Sequence, residues 1–180
     1  YNSKISFKGE IYNQIFNTEK KYIETNKYHT GNIYRFFPIA SMNFETPFKI
    51  KKDKFNLTFN PQFQIVITPG ISNSNKISNE DSTNNNFTIG NISSLNRYSG
   101  NDKMDNSKRI TLGLSAYMDN FKSNLYQTYE FTNNSNFHNE QGNDDNLSDL
   151  LGSVEYFKTN QLSYNFRFDL NDAYLKKQNV

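Results

Sequence analysis

From Phe55 to Thr68, within a strand predicted at 54–69, the chain alternates residue by residue. Phe55, Leu57, Phe59, Pro61, Phe63, Ile65 and Ile67 fall on one side, and Asn56, Thr58, Asn60, Gln62, Gln64, Val66 and Thr68 on the other. Successive side chains point to opposite faces only in a β-strand, so this period of two writes a strand with one apolar and one largely polar face. The pattern returns at 108–119, where Ile110, Leu112, Leu114, Ala116 and Met118 oppose Arg109, Thr111, Gly113, Ser115 and Tyr117. It returns again at 161–171, with Leu162, Tyr164, Phe166, Phe168 and Leu170 opposing Ser163, Asn165, Arg167, Asp169 and Asn171. Weaker versions predict strands at about 3–15, 34–48, 122–133 and 149–158. No apolar run follows the 3.6-residue helical period, so the fold is predicted all-β, with about seven strands. Pro61 removes one ladder donor from the best strand, and a bulge is the expected accommodation.

The connections alternate in length. Segments 16–33, 70–107 and 134–148 are long, whereas 49–53, 120–121 and 159–160 are short. Outer-membrane barrels have this rhythm, with short periplasmic turns and long extracellular loops. Residues 1–180 are therefore read as part of a single outer-membrane β-barrel domain, an antiparallel transmembrane segment of a much larger barrel. Segment 70–107 is one long extracellular loop, able to fold into the lumen. A mean hydropathy of −0.85 does not oppose this, because a barrel strand needs only about 9–11 residues with every second one apolar. The apolar faces would meet lipid. The opposite faces, rich in Asn, Gln, Ser, Thr and Arg, suit a hydrated lumen, and Gln62, Thr111, Asn165 and Arg167 are the lumen-facing candidates. An odd strand count leaves two open edges. With no initiator Met and a polar end at Leu175–Val180, the chain reads as an internal piece of a longer protein. A soluble β-sandwich, with the same apolar faces packed between two sheets, is the alternative.

Several function classes find little support. The net charge is +2 with the signs interspersed, so no nucleic-acid partner is expected. There is no cysteine, hence neither disulfide nor thiolate chemistry. His29 and His138 fall in predicted loops without ligand companions, and Asp144-Asp145 reads as a solvated loop. Gly100-Asn101-Asp102 lacks the glycines and the Lys-Ser/Thr of a phosphate cradle. No catalytic residue, metal site or cofactor is assigned, and the chain is not expected to be an enzyme.

One stretch is charged and broken by Gly and Ser: Asn79-Glu80-Asp81-Ser82, then Leu95-Asn96-Arg97-Tyr98-Ser99-Gly100-Asn101-Asp102, leading into Thr111-Leu112-Gly113-Leu114. Its charges can pair within the loop to hold a plug, or line the path of a phosphorylated glycolipid, and the two roles are compatible. The wording resembles the barrel domain of the lipopolysaccharide-assembly family LptD. The resemblance runs over about residues 35–172, through Tyr126-Gln-Thr-Tyr and Ser148-Asp149-Leu150-Leu151. Lys103 departs from it, standing where the family usually has Arg, so a bidentate contact there is not carried over.

The resemblance implies a barrel of about 26 strands in the bacterial cell outer membrane. It implies transport of lipopolysaccharide and its insertion into the outer leaflet. The implied partners are an LptE-like plug lipoprotein, an LptA-like periplasmic bridge protein that docks on a domain outside this segment, and outer-membrane lipid. The motif-loop candidates are Asn79, Glu80, Asp81, Ser82, Asn96, Arg97, Gly100 and Asp102. An unrelated porin or receptor barrel would keep the strand pattern without this wording.

Overall fold

A computed structural model describes residues 2–52, 55–83, 86–132, 146–158 and 161–179. The described chain holds no helix and nine strands: β1 (Lys4–Glu24), β2 (Lys27–Glu45), β3 (Phe48–Lys52), β4 (Phe55–Ile67), β5 (Lys108–Met118), β6 (Phe121–Glu130), β7 (Leu150–Phe157), β8 (Gln161–Asp169) and β9 (Tyr174–Asn179). They form one antiparallel sheet in the order β1-β2-β4-β5-β6-β7-β8-β9, with β3 beside β4. Apart from β3, which continues the line of β2 along β4, each strand thus lies next to its neighbour in sequence, which is the up-and-down order of a barrel wall. Among the described residues β1 and β9 are the two edges.

The sheet's burial is inverted relative to a soluble protein. Leu112 is 58% exposed and Phe7 77%, whereas Arg109 is 1% and Thr111 2% exposed. Ile5, Ile11, Ile15, Phe36, Phe59, Ile67 and Leu162 are exposed as well. Register explains how so many residues share a face, because directly paired residues point the same way. Gln64 pairs with Thr111, Thr111 with Thr128, Ser153 with Asn165, and Leu151 with Arg167. One continuous surface therefore carries Gln62, Thr111, Asn165 and Arg167, and the opposite surface carries the apolar set. An exposed apolar area of this extent is unusual for a soluble monomer and typical of a membrane wall.

The polar surface has a hydrogen-bonded belt across four strands. Gln62 Nε2 donates to Ser115 Oγ (3.4 Å), Ser115 Oγ to Asn124 Oδ1 (2.8 Å), and Asn124 Nδ2 to Ser153 Oγ (3.0 Å). Tyr126 lies over its cross-strand partner Gly113, where any Cβ would strike the ring, and its hydroxyl donates to Gln62 Oε1 at 2.9 Å.

The structure adds to the predicted strands and corrects their limits. Segment 16–33 is not a long connection. β1 and β2 run on through it and turn only at Thr25-Asn26, with Asn26 in the left-handed region (φ 61°), which Asn tolerates. A register shift between Thr18 and Lys21 marks a bulge in this arm, where Lys20 also has positive φ. His29 consequently sits in β2 rather than in a loop. The short connection read at 49–53 is largely strand β3, and the polar stretch after Leu170 yields β9. His138, Asp144 and Asp145 lie outside the described residues.

Pro61 needs no bulge. Thr46 N–H donates to the Pro61 carbonyl (3.2 Å), so the proline nitrogen also faces Thr46, at the interruption between β2 and β3. The register is unchanged across that gap, from Glu45–Gln62 to Phe48–Phe59. On its other side β4 pairs with β5 without a shift from Leu57 to Ile67. The missing donor falls where the ladder is already broken, which satisfies the rule against Pro in a central strand without distorting β4.

Candidate functional site

The described residues of 68–107 contain no strand and pack on the polar surface of the sheet. Two apolar clusters anchor them. Leu95 and Met104 join Phe37, Ile39 and Val66 from β2 and β4. Phe87, Ile92 and Tyr98 join Leu151 of β7. Phe37, Ile39, Val66 and Leu151 are buried apolar side chains on a largely polar surface, and each is covered by this loop. Burial of such side chains contributes on the order of 1.5–3 kcal/mol apiece.

Inside the loop two carboxylates hold two turns together. The Asp81 carboxylate accepts the backbone N–H groups of Asn101 (2.9 Å) and Asp102 (2.9 Å). The Asp102 carboxylate accepts those of Glu80 (2.6 Å) and Asp81 (2.9 Å). The N–H groups of Asn101 and Asp102 are also the leading reason that the Asp81 carboxyl is held below the usual carboxylate range. Ser82 N–H donates to Asn79 Oδ1 (3.1 Å), and Ser82 Oγ accepts Lys103 N–H (2.9 Å). Asn96 Oδ1 takes the N–H of Asp105 (3.1 Å), and its amide donates to Lys103 O (3.2 Å). Gly100 has φ +81°, and a Cβ there would collide with the Asp81 backbone and carboxylate. Only glycine meets both demands. Asn79, Glu80, Asp81, Ser82, Asn96, Gly100 and Asp102 thus form one knot, to which Glu80 brings its backbone N–H.

Arg97 leaves the knot and enters the wall. Its side chain is fully buried and paired with Asp105 and Glu130, and its guanidinium lies 4.7 Å from the Phe87 ring centroid. Arg109 of β5 reaches Asp105 Oδ2 (3.0 Å) and the carbonyls of Ser94 and Leu95. Ser107 Oγ donates to Glu130 (2.7 Å). Two guanidinium groups and two carboxylates therefore share one dry site, where each charge is tolerable only with its partners. Arg35 of β2 secures the other side, donating to the carbonyls of Asn101 and Asp102. The ammonium of Lys103, the departure noted in the sequence, lies 5.6 Å from the Tyr98 ring centroid, a cation–π contact rather than a bidentate one.

The four remaining candidates are spread over the same surface. Gln62 and Thr111 take part in cross-strand hydrogen bonds, Thr111 with Thr128 at 2.9 Å. Asn165 is exposed. Arg167 pairs with Asp149 (3.2 Å), within a second ionic cluster completed by Asp169 and Lys176.

The family model for LptD, LPS transport system D, matches residues 2–180. The chain belongs to the LptD family. No curated protein sequence matches it significantly. The LptD family serves lipopolysaccharide transport and assembly at the outer membrane and acts as a transport component rather than a known enzyme. The all-β up-and-down sheet is a barrel segment of this LptD-family chain, as the alternating strands predict. Sequence reasoning missed Glu130 as the partner of Arg97, and Asp169 with Lys176. The available signal was an Arg at the start of one strand and a Glu at the end of the next, on polar faces. Arg109 and Glu130 are in fact direct cross-strand partners.

Proposed function

We propose that this segment forms part of the wall of an outer-membrane barrel that passes lipopolysaccharide to the outer leaflet, with its polar surface lining the lumen and its apolar surface in lipid. The observation that carries the reading is the inverted sheet: the charged and amide side chains are turned toward the packed loop, and the aliphatic ones are left exposed. Residues 70–107 then form an extracellular loop folded into the lumen as a fixed plug. Loop and lumen need no covalent chemistry, so the segment acts as a conduit and not as an enzyme. The partners are lipopolysaccharide, outer-membrane lipid, an LptE-like lipoprotein in the lumen and, through another part of the protein, an LptA-like bridge.

The test is site-specific photo-crosslinking in the full protein in cells. Probes at Gln62 and Asn165 are expected to capture lipopolysaccharide or the plug lipoprotein, and probes at Leu57, Leu112 and Phe168 neither. A folded, surface-exposed barrel yielding no adduct with either partner from the polar surface overturns the reading and favours a general porin.

A further inference from the structure

Alternation alone does not fix every neighbour in this wall. A slip of one residue turns each apolar side chain to the wrong surface, but a slip of two restores it, because side chains repeat every second residue. Moving β5 by two along β4 would set Phe63 against Ile110 or Leu114 in place of Leu112, one apolar pair for another. In a hairpin the turn removes this freedom. Short turns do so for β1–β2, β3–β4, β5–β6, β7–β8 and β8–β9, which close at Glu24–Lys27, Lys52–Phe55, Met118–Phe121, Phe157–Gln161 and Asp169–Tyr174. β2 keeps the register of β3 along β4. Two pairs of neighbours remain whose connections are long: β4–β5, joined by 68–107, and β6–β7, joined by 131–149.

One loop bridges both. At β4–β5, consecutive loop residues hold the two strands. Gln64 Nε2 of β4 donates to the Ser93 carbonyl (2.9 Å), and Arg109 of β5 donates to the carbonyls of Ser94 and Leu95. At the foot of the loop Ser107 N–H donates to Thr68 Oγ1 (2.8 Å), just beyond the last pair, Ile67–Lys108. At β6–β7, Arg97 is paired with Glu130 of β6. Phe87, Ile92 and Tyr98 pack on Leu151 of β7, whose cross-strand partner Tyr126 lies against the same cluster. A slip of two residues displaces a strand by about 7 Å, more than twice a hydrogen-bond length. A slipped strand would lose its hold on the loop, and Arg97 or Arg109 would be left buried without its partners, which is strongly unfavourable.

We propose that segment 68–107 has a second function beyond that of a plug: it is an internal template that sets the register of β4–β5 and β6–β7 while the wall assembles. The exposed apolar pairs are interchangeable under a slip of two, whereas the contacts with the loop are not. Fixing a register is also the best-supported use of buried ionic groups, which add little to stability as such. All four strands lie inside the sheet rather than at its edges. The function is independent of what the barrel carries.

The test uses the full protein assembled in cells, with pairs of cysteines on the apolar surface. Phe63→Cys with Leu112→Cys reports the native β4–β5 register, and Phe63→Cys with Ile110→Cys or Leu114→Cys a slip of two. Ser123→Cys with Val154→Cys reports the native β6–β7 register, and Ser123→Cys with Tyr156→Cys a slip. Leu114→Cys with Leu125→Cys, native partners above the β5–β6 turn, is the control. Residues 74–103 are then replaced by a Gly-Ser linker of equal length. Slipped cross-links are expected to rise several-fold at β4–β5 and β6–β7, with the control unchanged. Native cross-links kept at both places, or an equal loss at all three, overturn the template. If the linker variant does not assemble, the parent decides. Its native cross-links at β4–β5 and β6–β7, trapped during assembly, are expected only once segment 70–107 resists protease. Native cross-links that form while the loop is still being cut overturn the template. Photo-crosslinks from Gln62 and Asn165 are read separately, so the conduit stands or falls on its own.

Discussion

Asp81 and Asp102, 21 residues apart, each accept the backbone N–H groups at the other's turn, so two carboxylates clasp each other's main chain. Backbone N–H groups are the leading partners, and the contact between the two carboxyl groups is secondary. The clasp is a matter of backbone geometry, which is why Gly100, next to the second turn, must stay without a Cβ.

Gly100→Ala is therefore expected to open the clasp. The left-handed conformation alone costs an L-residue roughly 1–2 kcal/mol, and the collision with Asp81 adds to it. Limited proteolysis of the folded protein should cut within 70–107 at least several-fold faster than in the parent. An unchanged cutting rate would show that the loop does not need the clasp.

The clasp also has a pH dependence. The Asp81 pKa is lowered in the folded state, chiefly by the N–H groups of Asn101 and Asp102. Its contribution is complete above the ordinary Asp value of about 3.9 and is lost as the pH falls from there through the depressed folded value. Amide exchange of Asn101 and Asp102, corrected for intrinsic rates, should show constant protection from pH 7 to pH 5 and weakening only in stronger acid. Loss of protection already near neutrality would contradict this assignment.

Removing one charge from the buried quartet is expected to be severe. Glu130→Leu leaves Arg97 short of a carboxylate in a dry site, a loss of about 3–5 kcal/mol. Arg97→Met combined with Glu130→Leu should recover part of it, because each change removes a charge that the other leaves uncompensated. Denaturant unfolding of the refolded barrel reads both. A double variant as unstable as the two single losses added together would mean that the pair is not coupled.

The two surfaces of the sheet should respond differently to charge. Leu112→Arg is expected to cost roughly 2–4 kcal/mol if the position lies near the bilayer midplane, while Asn165→Arg should be tolerated. Equal costs at both positions, measured by folding into lipid vesicles, would favour a two-sided soluble core.

Sidedness follows from the loop lengths. A cysteine at Asn75 is expected to react with an impermeant reagent on intact cells, and one at Asn120, in the tight β5–β6 turn, is not. Labelling of Asn120 alone would reverse the orientation.

Alternation was legible wherever one face had to be apolar. Phe55–Ile67 and Lys108–Met118 could be bounded within a residue or two because a register slip would turn Leu57 or Leu112 to the wrong side. The arm beyond Phe16 hid its strands. Thr18, Glu19, Lys20 and Lys21 give no apolar face, and a bulge breaks the period there. Lys176-Lys177-Gln178 concealed β9 in the same way. The knot was legible as a run of recognisable wording, but not as a geometry. Nothing in the spacing of Asp81 and Asp102 announces a mutual clasp, and Glu130 meets Arg97 only because β6 returns antiparallel beside β5.

The quartet of Arg97, Arg109, Asp105 and Glu130 has a consequence for anything that travels past it. Its charges sum to zero within one small site, so its field falls off faster with distance than that of a lone ion. This buried, densely charged site is therefore nearly silent toward a passing anion. On this surface the density of charge and the reach of charge are thus two different quantities.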